Sequence, residues 1–262
     1  MTAEEPVLLP ARAGHVLTLT LNRPAALNAI NLALARALAE AVRTVEHDPD
    51  VWVVVLAGAG ERAFSAGADL RERAAMTPAQ VREVRATLVE AFAQLERCSR
   101  PTIAAVHGVA YGGGFELALA CDLILADETA RFALPEVSLG IIPGGGGTQA
   151  LPRLVGRQRA KEIIFTARRI PADEAERLGI VLRRVPAGTV LAEAQALAQQ
   201  IAANAPLAVR QAKRAIDLGL SLDPQSARLV EAEAYNLTLL TEDRNEGLRA
   251  FAERRPPVYR GE

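Results

Sequence analysis

The chain has 262 residues, of which 50% are hydrophobic and 23% are charged, and its formal net charge is −1. This composition is typical of a folded globular protein and excludes a disordered chain. The near-neutral charge argues against a protein that binds nucleic acid, because such proteins usually carry a basic excess. Charged residues interrupt every apolar run before it reaches the roughly 18 residues of a membrane helix, so we expect no membrane span.

The cysteines and the N-terminal residues bear on the compartment. Cys98 and Cys121 lie in apolar surroundings without CxxC spacing, which predicts a reducing compartment. The 3 histidines also lack the spacing of metal ligands, so we expect no metal site. Residues 1–10 have neither a basic start nor an apolar core. We therefore expect no signal peptide and a cytoplasmic protein of bacterial type.

Strand and helix patterns alternate through the first part of the chain. Residues 15–21 alternate leucine with threonine, which predicts a strand, and from Leu27 to Asp48 the apolar spacing is helical. Residues 51–56 form an apolar run of strand length. The later elements predicted in the same way are a helix over 81–95, a strand over 101–106, a helix over 113–120 and a strand over 122–126. This alternation is typical of the α/β class.

Strand patterns stop at about Ala187, and the rest of the sequence is helical. Pro206 and Pro224 each stand where a predicted helix begins, a position that proline favours. The four helices expected here cover residues 190–204, 207–218, 224–240 and 241–254. We therefore predict a core domain over residues 1–200 and a helical C-terminal region over 201–262. That region is a candidate for oligomerisation, although its apolar stripes could equally pack on its own core.

Three segments carry residues suited to chemistry, and the first covers residues 64–70. Small residues crowd around Gly67 immediately after a predicted strand, so a ligand could approach the backbone closely. Taken alone, a plain turn explains this sequence more often than a binding loop does.

The second segment places three glycines, Gly112 to Gly114, at the start of an apolar helix. A helix start of this kind exposes free N–H groups at the positive end of the helix dipole, which suits an anionic oxygen. Glu116 follows in the first turn. Acidic residues are common there because they complement the dipole. That alternative explains a surface glutamate better than one flanked by Phe115 and Leu117.

The third segment covers residues 134–148 and contains Glu136 in an almost entirely apolar neighbourhood. Burial of a carboxylate raises its pKa toward the range useful for acid–base catalysis. A structural glutamate that caps the backbone is an equally open interpretation. The glycines at 144–147 lack the lysine of a phosphate-binding loop, and no strand or ribose-binding acid accompanies them, so we reject nucleotide binding.

Other catalytic schemes fail for lack of the necessary residues. The nucleophile motif GxSxG is absent around Ser65, because Ala63 stands in place of its first glycine. Two carboxylates could serve a glycosidase. Sugar sites typically use aromatic platforms, and this chain is only 4% aromatic, with Trp52 as its single tryptophan.

In combination, the three segments resemble the enoyl-CoA hydratase/isomerase (crotonase) superfamily. The interval of 20 residues from Glu116 to Glu136 matches the hydratases of that family. The resemblance covers nearly the whole chain, from Asn22 to the C-terminal helices. It implies an α/β fold, a crotonase-like spiral of repeated ββα units with a C-terminal all-helical oligomerisation region. The segments that carry the resemblance are Ser65-Ala66-Gly67-Ala68-Asp69, Gly112-Gly113-Gly114-Phe115-Glu116-Leu117-Ala118 and Pro135-Glu136 with Gly140-Ile141-Ile142-Pro143-Gly144.

The resemblance also implies the roles of the site residues. The backbone N–H groups of Ala68 and Gly113 would form an oxyanion hole for the thioester oxygen. Glu116 would act as the base on the attacking water, and Glu136 would give a proton to the α-carbon. In dehydration these two roles reverse.

The same resemblance implies how coenzyme A is bound. Backbone around Ala66, Asp69 and Leu70 would hold it, and Arg254 occupies a position where relatives often have a lysine facing the 3′-phosphate in a neighbouring subunit. We expect no separate cofactor, because coenzyme A is part of the substrate. The helix around residues 76–95 is expected to form one wall of the acyl pocket.

The function implied is hydration of a 2-enoyl-CoA by a homo-oligomer, a trimer or a dimer of trimers. A Δ3,Δ2-isomerase and a methylglutaconyl-CoA hydratase remain alternatives within the family. The mammalian member of the latter branch also binds AU-rich RNA through a helix with a row of lysines. The corresponding helix here, residues 31–45, has only Arg36 and Arg43 with Glu40 between them, which argues against an RNA-binding protein with a vestigial site.

Overall fold

The computed structural model describes residues 5–262. The first four residues belong to the N-terminal segment in which we expect no signal peptide, and they lie outside the described part of the chain. The strands are β1 (Leu8–Ala13), β2 (Val16–Leu21), β3 (Val53–Gly58), β4 (Ala63–Ser65), β5 (Thr102–Val106), β6 (Val109–Tyr111), β7 (Leu123–Asp127), β8 (Arg131–Ala133), β9 (Ile170–Pro171) and β10 (Arg183–Val185).

Helices connect most of these strands and make up the C-terminal region. The α-helices are α1 (Leu32–His47), α2 (Leu70–Ala74), α3 (Pro78–Glu96), α4 (Gly113–Leu119), α5 (Gly147–Val155), α6 (Arg157–Thr166), α7 (Ala172–Arg177), α8 (Val190–Ala202), α9 (Pro206–Gly219), α10 (Pro224–Thr238) and α11 (Glu242–Glu253). The predicted C-terminal helices therefore exist, with ends shifted by a few residues.

The strands form two sheets that the chain visits alternately. The larger sheet has the order β1-β2-β3-β5-β7-β10, and the smaller one has the order β4-β6-β8-β9. Each successive pair of strands adds one strand to the larger sheet and one to the smaller sheet, and these strands pair in parallel with their neighbours. The pairs are β3 with β4, β5 with β6, and β7 with β8. The chain thus advances as a spiral of ββα units, which confirms the predicted fold class.

The larger sheet is buried on both faces. Val54 and Leu56 of β3 belong to the main core under α1 and α3, whereas Val53 and Val55 belong to a second apolar cluster that α8 covers. Side chains of a strand alternate between its two faces, and both faces are apolar here, which explains the continuous apolar run in the sequence. Residue 200 lies within α8, and the proposed division into residues 1–200 and 201–262 stays a prediction.

The prediction that the first helix begins at Leu27 is wrong. Helix α1 begins at Leu32. Asn31 is its N-cap, and the side chain of Asn31 accepts a hydrogen bond from the N–H of Leu34. Leu27 and Asn28 both adopt left-handed backbone conformations with φ of 53°. Residues inside a right-handed α-helix have negative φ, so these two cannot belong to one. Apolar periodicity runs through this segment because its side chains are buried, although its backbone is not helical.

The structure also bears on the expectation about membranes. Among residues 5–262 we find no helix with the length and apolar character required to cross a membrane. The cytoplasmic location inferred from the N-terminal sequence stays a prediction.

Candidate active site

The first site segment is the loop from Ala66 to Asp69 that links β4 to α2. Its backbone is clamped by the non-helical residues that precede α1. The N–H of Ala66 donates to the carbonyl of Leu27 at 2.9 Å, the N–H of Ile30 donates to Gly67 at 2.7 Å, and the N–H of Asp69 donates to Ile30 at 3.1 Å. These three bonds fix the backbone of the loop, so the peptide groups between them have fixed directions.

Asn28 fastens the same region from within the core. Its side chain is fully buried, and its Nδ2 donates to the carbonyls of Ala59 at 2.9 Å and Ala63 at 2.8 Å. Its Oδ1 accepts from the N–H of Arg23, and the hydroxyl of Ser65 donates to its carbonyl. Sequence reasoning assigned no role to Asn28. Its partners lie up to 37 residues away in the sequence, so no local pattern indicates this role.

The second segment begins α4 directly beside this loop. A Cβ atom on Gly67, whose φ is +89°, would lie only 2.5 Å from the carbonyl oxygen of Tyr111 and 3.1 Å from the nitrogen of Gly113. Glycine is therefore required for the two segments to approach. The position of a Cβ on Gly113 lies 3.6 Å from the nitrogen of Ala68, so the two backbone nitrogens are close neighbours.

The N–H groups of Ala68 and Gly113 are both available for a ligand. Within the described residues, neither donates a hydrogen bond to another group of the chain. Gly113 is the first residue of α4, where the N–H has no partner within the helix and the dipole favours negative charge. Two free donors side by side suit an oxygen that becomes anionic during a reaction.

Glu116 lies in the first turn of α4 and is buried. Its Oε1 accepts hydrogen bonds from the N–H groups of Gly145 at 2.7 Å and Gly147 at 2.9 Å. Burial raises the pKa of Glu116, and the two backbone donors oppose that shift by stabilising the carboxylate. The glycine-rich segment that we rejected as a nucleotide loop therefore holds a carboxylate of the protein itself.

Glu136 is the first residue of a short 3₁₀ helix, Glu136–Leu139, and is also buried. Its Oε1 lies 3.0 Å from the position of a Cβ on Gly112, so the carboxyl group sits beside the start of α4. Its Oε2 is buried without a hydrogen-bond partner among the described residues. Burial raises the pKa of Glu136 to about 7, and the charge of Glu116 acts in the same direction. The predicted rise of this pKa is therefore confirmed.

Of the residues predicted to hold coenzyme A, Ala66, Asp69 and Leu70 lie at the loop that follows β4, and Arg254 lies elsewhere in the chain. Ala66 begins the loop that carries Ala68, and Leu70, the first residue of α2, follows that loop and is exposed. The side chain of Asp69 binds other groups of the protein and not a ligand. Its Oδ1 accepts from the N–H groups that begin α2, and its Oδ2 pairs with the Nη1 of Arg23 at 3.0 Å. This carboxylate positions the loop. Burial acts to raise its pKa, but the hydrogen bond from the N–H of Glu72 and the pairing with Arg23 together lower it.

Arg254 is the one predicted site residue that the fold of a single chain leaves apart. It ends α11 in a left-handed conformation with φ of 55°, and its side chain is exposed. Within the described part of the chain, no hydrogen bond or ion pair joins its side chain to the loop, to α4 or to either glutamate. Its role toward a 3′-phosphate stays a prediction, one that needs a neighbouring subunit.

Comparison with known proteins decides the family. The family model described as enoyl-CoA hydratase/isomerase matches residues 11–262. The chain belongs to this family. It is 43% identical to the short-chain-enoyl-CoA hydratase of Clostridium acetobutylicum over 242 residues, which cover 92% of this chain and 93% of that protein. It is 42% identical to the crotonyl-CoA hydratase of Syntrophomonas wolfei, over 90% of this chain and 91% of that protein.

A solved structure of the family extends the likeness to three dimensions. The crystal structure of an enoyl-CoA hydratase from Bacillus anthracis matches with a TM-score of 0.96 at 44% sequence identity. The match covers 98% of this chain and 100% of that chain. The family resemblance predicted from the three segments is therefore confirmed for the enoyl-CoA hydratase/isomerase family.

Proposed function

We propose that the protein is an enoyl-CoA hydratase that adds water reversibly across the 2,3 double bond of a 2-enoyl-CoA and yields a 3-hydroxyacyl-CoA. One arrangement carries this proposal: two free backbone N–H groups lie beside two buried glutamates with raised pKa values. The printed names of the Clostridium acetobutylicum and Syntrophomonas wolfei relatives, both hydratases of enoyl-CoA thioesters, support it.

The oxyanion hole supplies the electrostatic part of catalysis. When water adds to C3, negative charge develops on the thioester oxygen as an enolate forms. That oxygen lies between the N–H groups of Ala68 and Gly113, which are fixed before the reaction and need no reorganisation. One such donor lowers the barrier by about 3–4 kcal/mol.

The two glutamates move the protons. Glu116, whose carboxylate is stabilised by the N–H groups of Gly145 and Gly147, takes a proton from the attacking water. Glu136 stays protonated over a wide range of pH because its pKa is raised to about 7, and it delivers a proton to C2. Before and after the reaction the two glutamates, here called the dyad, hold one proton between them. Hydration moves this proton from Glu136 to Glu116. Dehydration runs the same transfer backwards, and the pair titrates as one coupled unit.

The thioester itself brings the only coenzyme that this mechanism uses. Backbone at Ala66 and Leu70 lines the approach to the oxyanion hole, and Arg254 offers a cation to the 3′-phosphate from another subunit. An arginine keeps the charge of a lysine there and adds a planar set of donors that fits a phosphate.

The assembly that we propose is a homotrimer that can pair into a hexamer. The helices from α9 onward expose large apolar side chains to an extent unusual for a monomer, with Leu240 91% exposed, Phe251 85% and Leu220 84%. Burial of this surface against further copies of the chain removes it from water. Light scattering should give three or six times the mass of 27.9 kDa. A monomer at micromolar concentration would contradict the assembly.

Substitution of each glutamate tests the reaction. Glu116→Gln and Glu136→Gln keep size and shape but cannot exchange the proton, so we expect crotonyl-CoA hydration to fall by at least about 100-fold in each. Glu61→Gln, an exposed change between β3 and β4, is the matched control and should retain full activity. Turnover near the wild-type level in either active-site variant would contradict the two-acid mechanism.

The isomerase alternative is separated by the choice of substrate. A 3-enoyl-CoA that is converted to the 2-enoyl isomer faster than crotonyl-CoA is hydrated would identify a Δ3,Δ2-isomerase. We expect crotonyl-CoA hydration to be the faster reaction. Isomerisation only moves a proton within the substrate, so it has no use for Glu116, the carboxylate that takes a proton from water.

A further inference from the structure

Arg23 contacts the loop of residues 66–69 through a side chain that has no part in the proposed mechanism. It lies in the Asn-Arg-Pro segment after β2, and its side chain is 21% exposed. Its Nη1 donates one hydrogen bond to the carbonyl of Ala29 and a second one, of 3.0 Å, to Oδ2 of Asp69. The guanidinium group therefore binds a peptide group as well as a carboxylate.

The backbone of Arg23 is held as firmly as its side chain. Its N–H donates to Oδ1 of Asn28 at 2.9 Å, and its carbonyl accepts from the N–H groups of Ala26 and Asn28, each at 2.9 Å. An arginine side chain loses much rotamer entropy when it is fixed, and here contacts at both of its ends fix it. The guanidinium group thus has a defined position beside the carbonyl of Ala29.

A chain of hydrogen-bonded peptide groups leads from this guanidinium to the N–H of Ala68. The carbonyl of Ala29 and the N–H of Ile30 belong to one peptide group, and this N–H donates to the carbonyl of Gly67 at 2.7 Å. The carbonyl of Gly67 and the N–H of Ala68 in turn belong to one peptide group. Two peptide groups therefore connect Arg23 to Ala68.

The geometry of the peptide bond sets the direction of each step. Within residues 5–262 every peptide bond is trans, and in a trans peptide group the C=O and N–H bonds point to opposite sides. Because the carbonyl of Gly67 points at Ile30, the N–H of Ala68 points away from Ile30. That N–H has no partner in the described part of the chain, and Gly113 lies beside it.

Polarisation passes along such a chain from the cation to the last N–H. A cation that donates to a carbonyl oxygen draws electron density toward that oxygen and leaves the N–H of the same peptide group more positive. That N–H is then a stronger donor to the next carbonyl, and each bond is strengthened by about 10–30%. A guanidinium group keeps its charge throughout the physiological pH range, so the polarisation is permanent.

We propose that Arg23 is a positioning residue of the oxyanion hole, whose charge orients and polarises the N–H of Ala68 through this chain of two peptide groups. The inference rests on the proposed hydratase function and adds to it a charge that supports one donor of the hole. Negative charge that develops on the thioester oxygen strengthens the whole chain of bonds. Arg23 therefore stabilises the enolate more than it stabilises the bound substrate.

The carbonyl stretching frequency of a bound thioester tests the polarisation without any turnover. Butyryl-CoA, isotope-labelled at its carbonyl carbon, has no double bond to hydrate and places its oxygen in the same hole. Stronger donors weaken the C=O bond and lower its frequency in the infrared difference spectrum. We expect the band of the wild-type complex to lie below that of free butyryl-CoA, and the band of the Arg23→Gln complex to lie between the two.

Kinetics should show the matching loss in the transition state. Two bonds strengthened by 10–30% at a donor of the hole correspond to a fall in kcat for crotonyl-CoA of about 3- to 30-fold in Arg23→Gln. The affinity for butyryl-CoA should change by less than about 3-fold, because the lost interaction belongs mainly to the transition state. Arg23→Lys keeps a charged donor and should recover part of both kcat and the frequency shift.

A matched control removes a different arginine that also pairs with a carboxylate. Arg12 is exposed and lies 3.4 Å from Oδ2 of Asp48, with no contact to the loop of residues 66–69. Arg12→Gln should leave kcat and the carbonyl frequency at their wild-type values.

Asp69→Asn separates polarisation from simple fastening of the loop, and it does not depend on the folding of Arg23→Gln. Asparagine is as good an N-cap as aspartate, so α2 should still begin at Leu70. The change breaks the ion pair but leaves Arg23 bound to Ala29, so the carbonyl band should stay at its wild-type frequency.

The outcomes distinguish the inference from the function on which it rests. If Asp69→Asn raises the band as much as Arg23→Gln does, or if Arg23→Gln leaves the band at its wild-type frequency, the inference is overturned. Wild-type hydration of crotonyl-CoA would then leave the proposed function standing. A wild-type chain that neither hydrates crotonyl-CoA nor lowers the carbonyl frequency of butyryl-CoA overturns the proposed function itself.

Discussion

The N–H of Gly145 donates a hydrogen bond of 2.7 Å to Oε1 of Glu116, 29 residues earlier in the chain. This bond joins α4, which presents the base, to the glycine segment before α5. It requires a residue without a side chain, since a Cβ on Gly145 would lie 2.7 Å from the ring of Phe92 and 2.9 Å from Oε2 of Glu116. The position of the carboxylate therefore depends on the absence of one methyl group.

The first prediction follows from that crowding. Gly145→Ala should reduce kcat for crotonyl-CoA by about 10- to 100-fold, because the new methyl group displaces Glu116 or Phe92 and a misplacement of roughly 1 Å costs about 100-fold. The circular dichroism spectrum should not change. Gly219→Ala is the matched control, since its Cβ would meet only Ala227 at an ordinary 3.6 Å. Full activity of Gly145→Ala would show that the contact does not set the position of Glu116.

The oxyanion hole leads to a comparison of two substitutions at Gly113. Proline removes the N–H but is well tolerated at the first position of a helix, so Gly113→Pro should fold and lose about 100- to 1000-fold in kcat. Gly113→Ala keeps the N–H, and its Cβ would meet only contacts of 3.6 Å or more, so its loss should be smaller. Equal activity of the two variants would remove Gly113 from the hole.

The coupled glutamates predict the dependence of the rate on pH. The productive dyad carries one proton, so kcat/KM should follow a bell-shaped curve. Loss of the shared proton, governed by the raised pKa of about 7 at Glu136, gives the alkaline limb, and protonation of both groups gives the acidic limb. Hydration and dehydration must share one curve, because their ratio is an equilibrium constant in which no net proton appears.

Initial rates in both directions between about pH 5 and 9 measure these curves. A profile for kcat/KM that stays flat to pH 9 would contradict a catalytic proton with a pKa near 7.

The last prediction concerns stability rather than chemistry. Asn28→Ala removes the side chain that ties together three segments and takes its donor away from the buried carbonyl of Ala63 and the partly buried carbonyl of Ala59. We expect the free energy of unfolding to fall by about 2–4 kcal/mol, since each lost bond to a buried group costs roughly 1–3 kcal/mol.

Urea titration measures that loss, with Gln158→Ala, an exposed change on α6, as the control. A change below about 0.5 kcal/mol, the range of ordinary surface substitutions, would show that the network around Asn28 is dispensable.

Much of the fold follows from local patterns. Continuous apolar runs marked β3 and β5, and helical spacing marked α3 and the four C-terminal helices, because side-chain burial repeats with the period of each element. The same reasoning misplaced the start of α1. Residues 27–30 have helical spacing, but Leu27 and Ile30 exchange backbone hydrogen bonds with the loop of residues 66–69. A periodicity of side chains does not report where backbone groups find partners.

The sequence by itself determined the class of the fold, the raised pKa expected of an apolar Glu136, and the three segments whose combination indicates the family. It did so because composition, periodicity and glycine placement are local properties of the chain. Only the tertiary structure showed that Gly145 and Gly147 hold Glu116, and that the side chain of Asn28 binds the carbonyls of Ala59 and Ala63 ahead of the loop that carries Ala68. Those relations join residues on different turns of the spiral, and the stacking of its turns decides which of them meet.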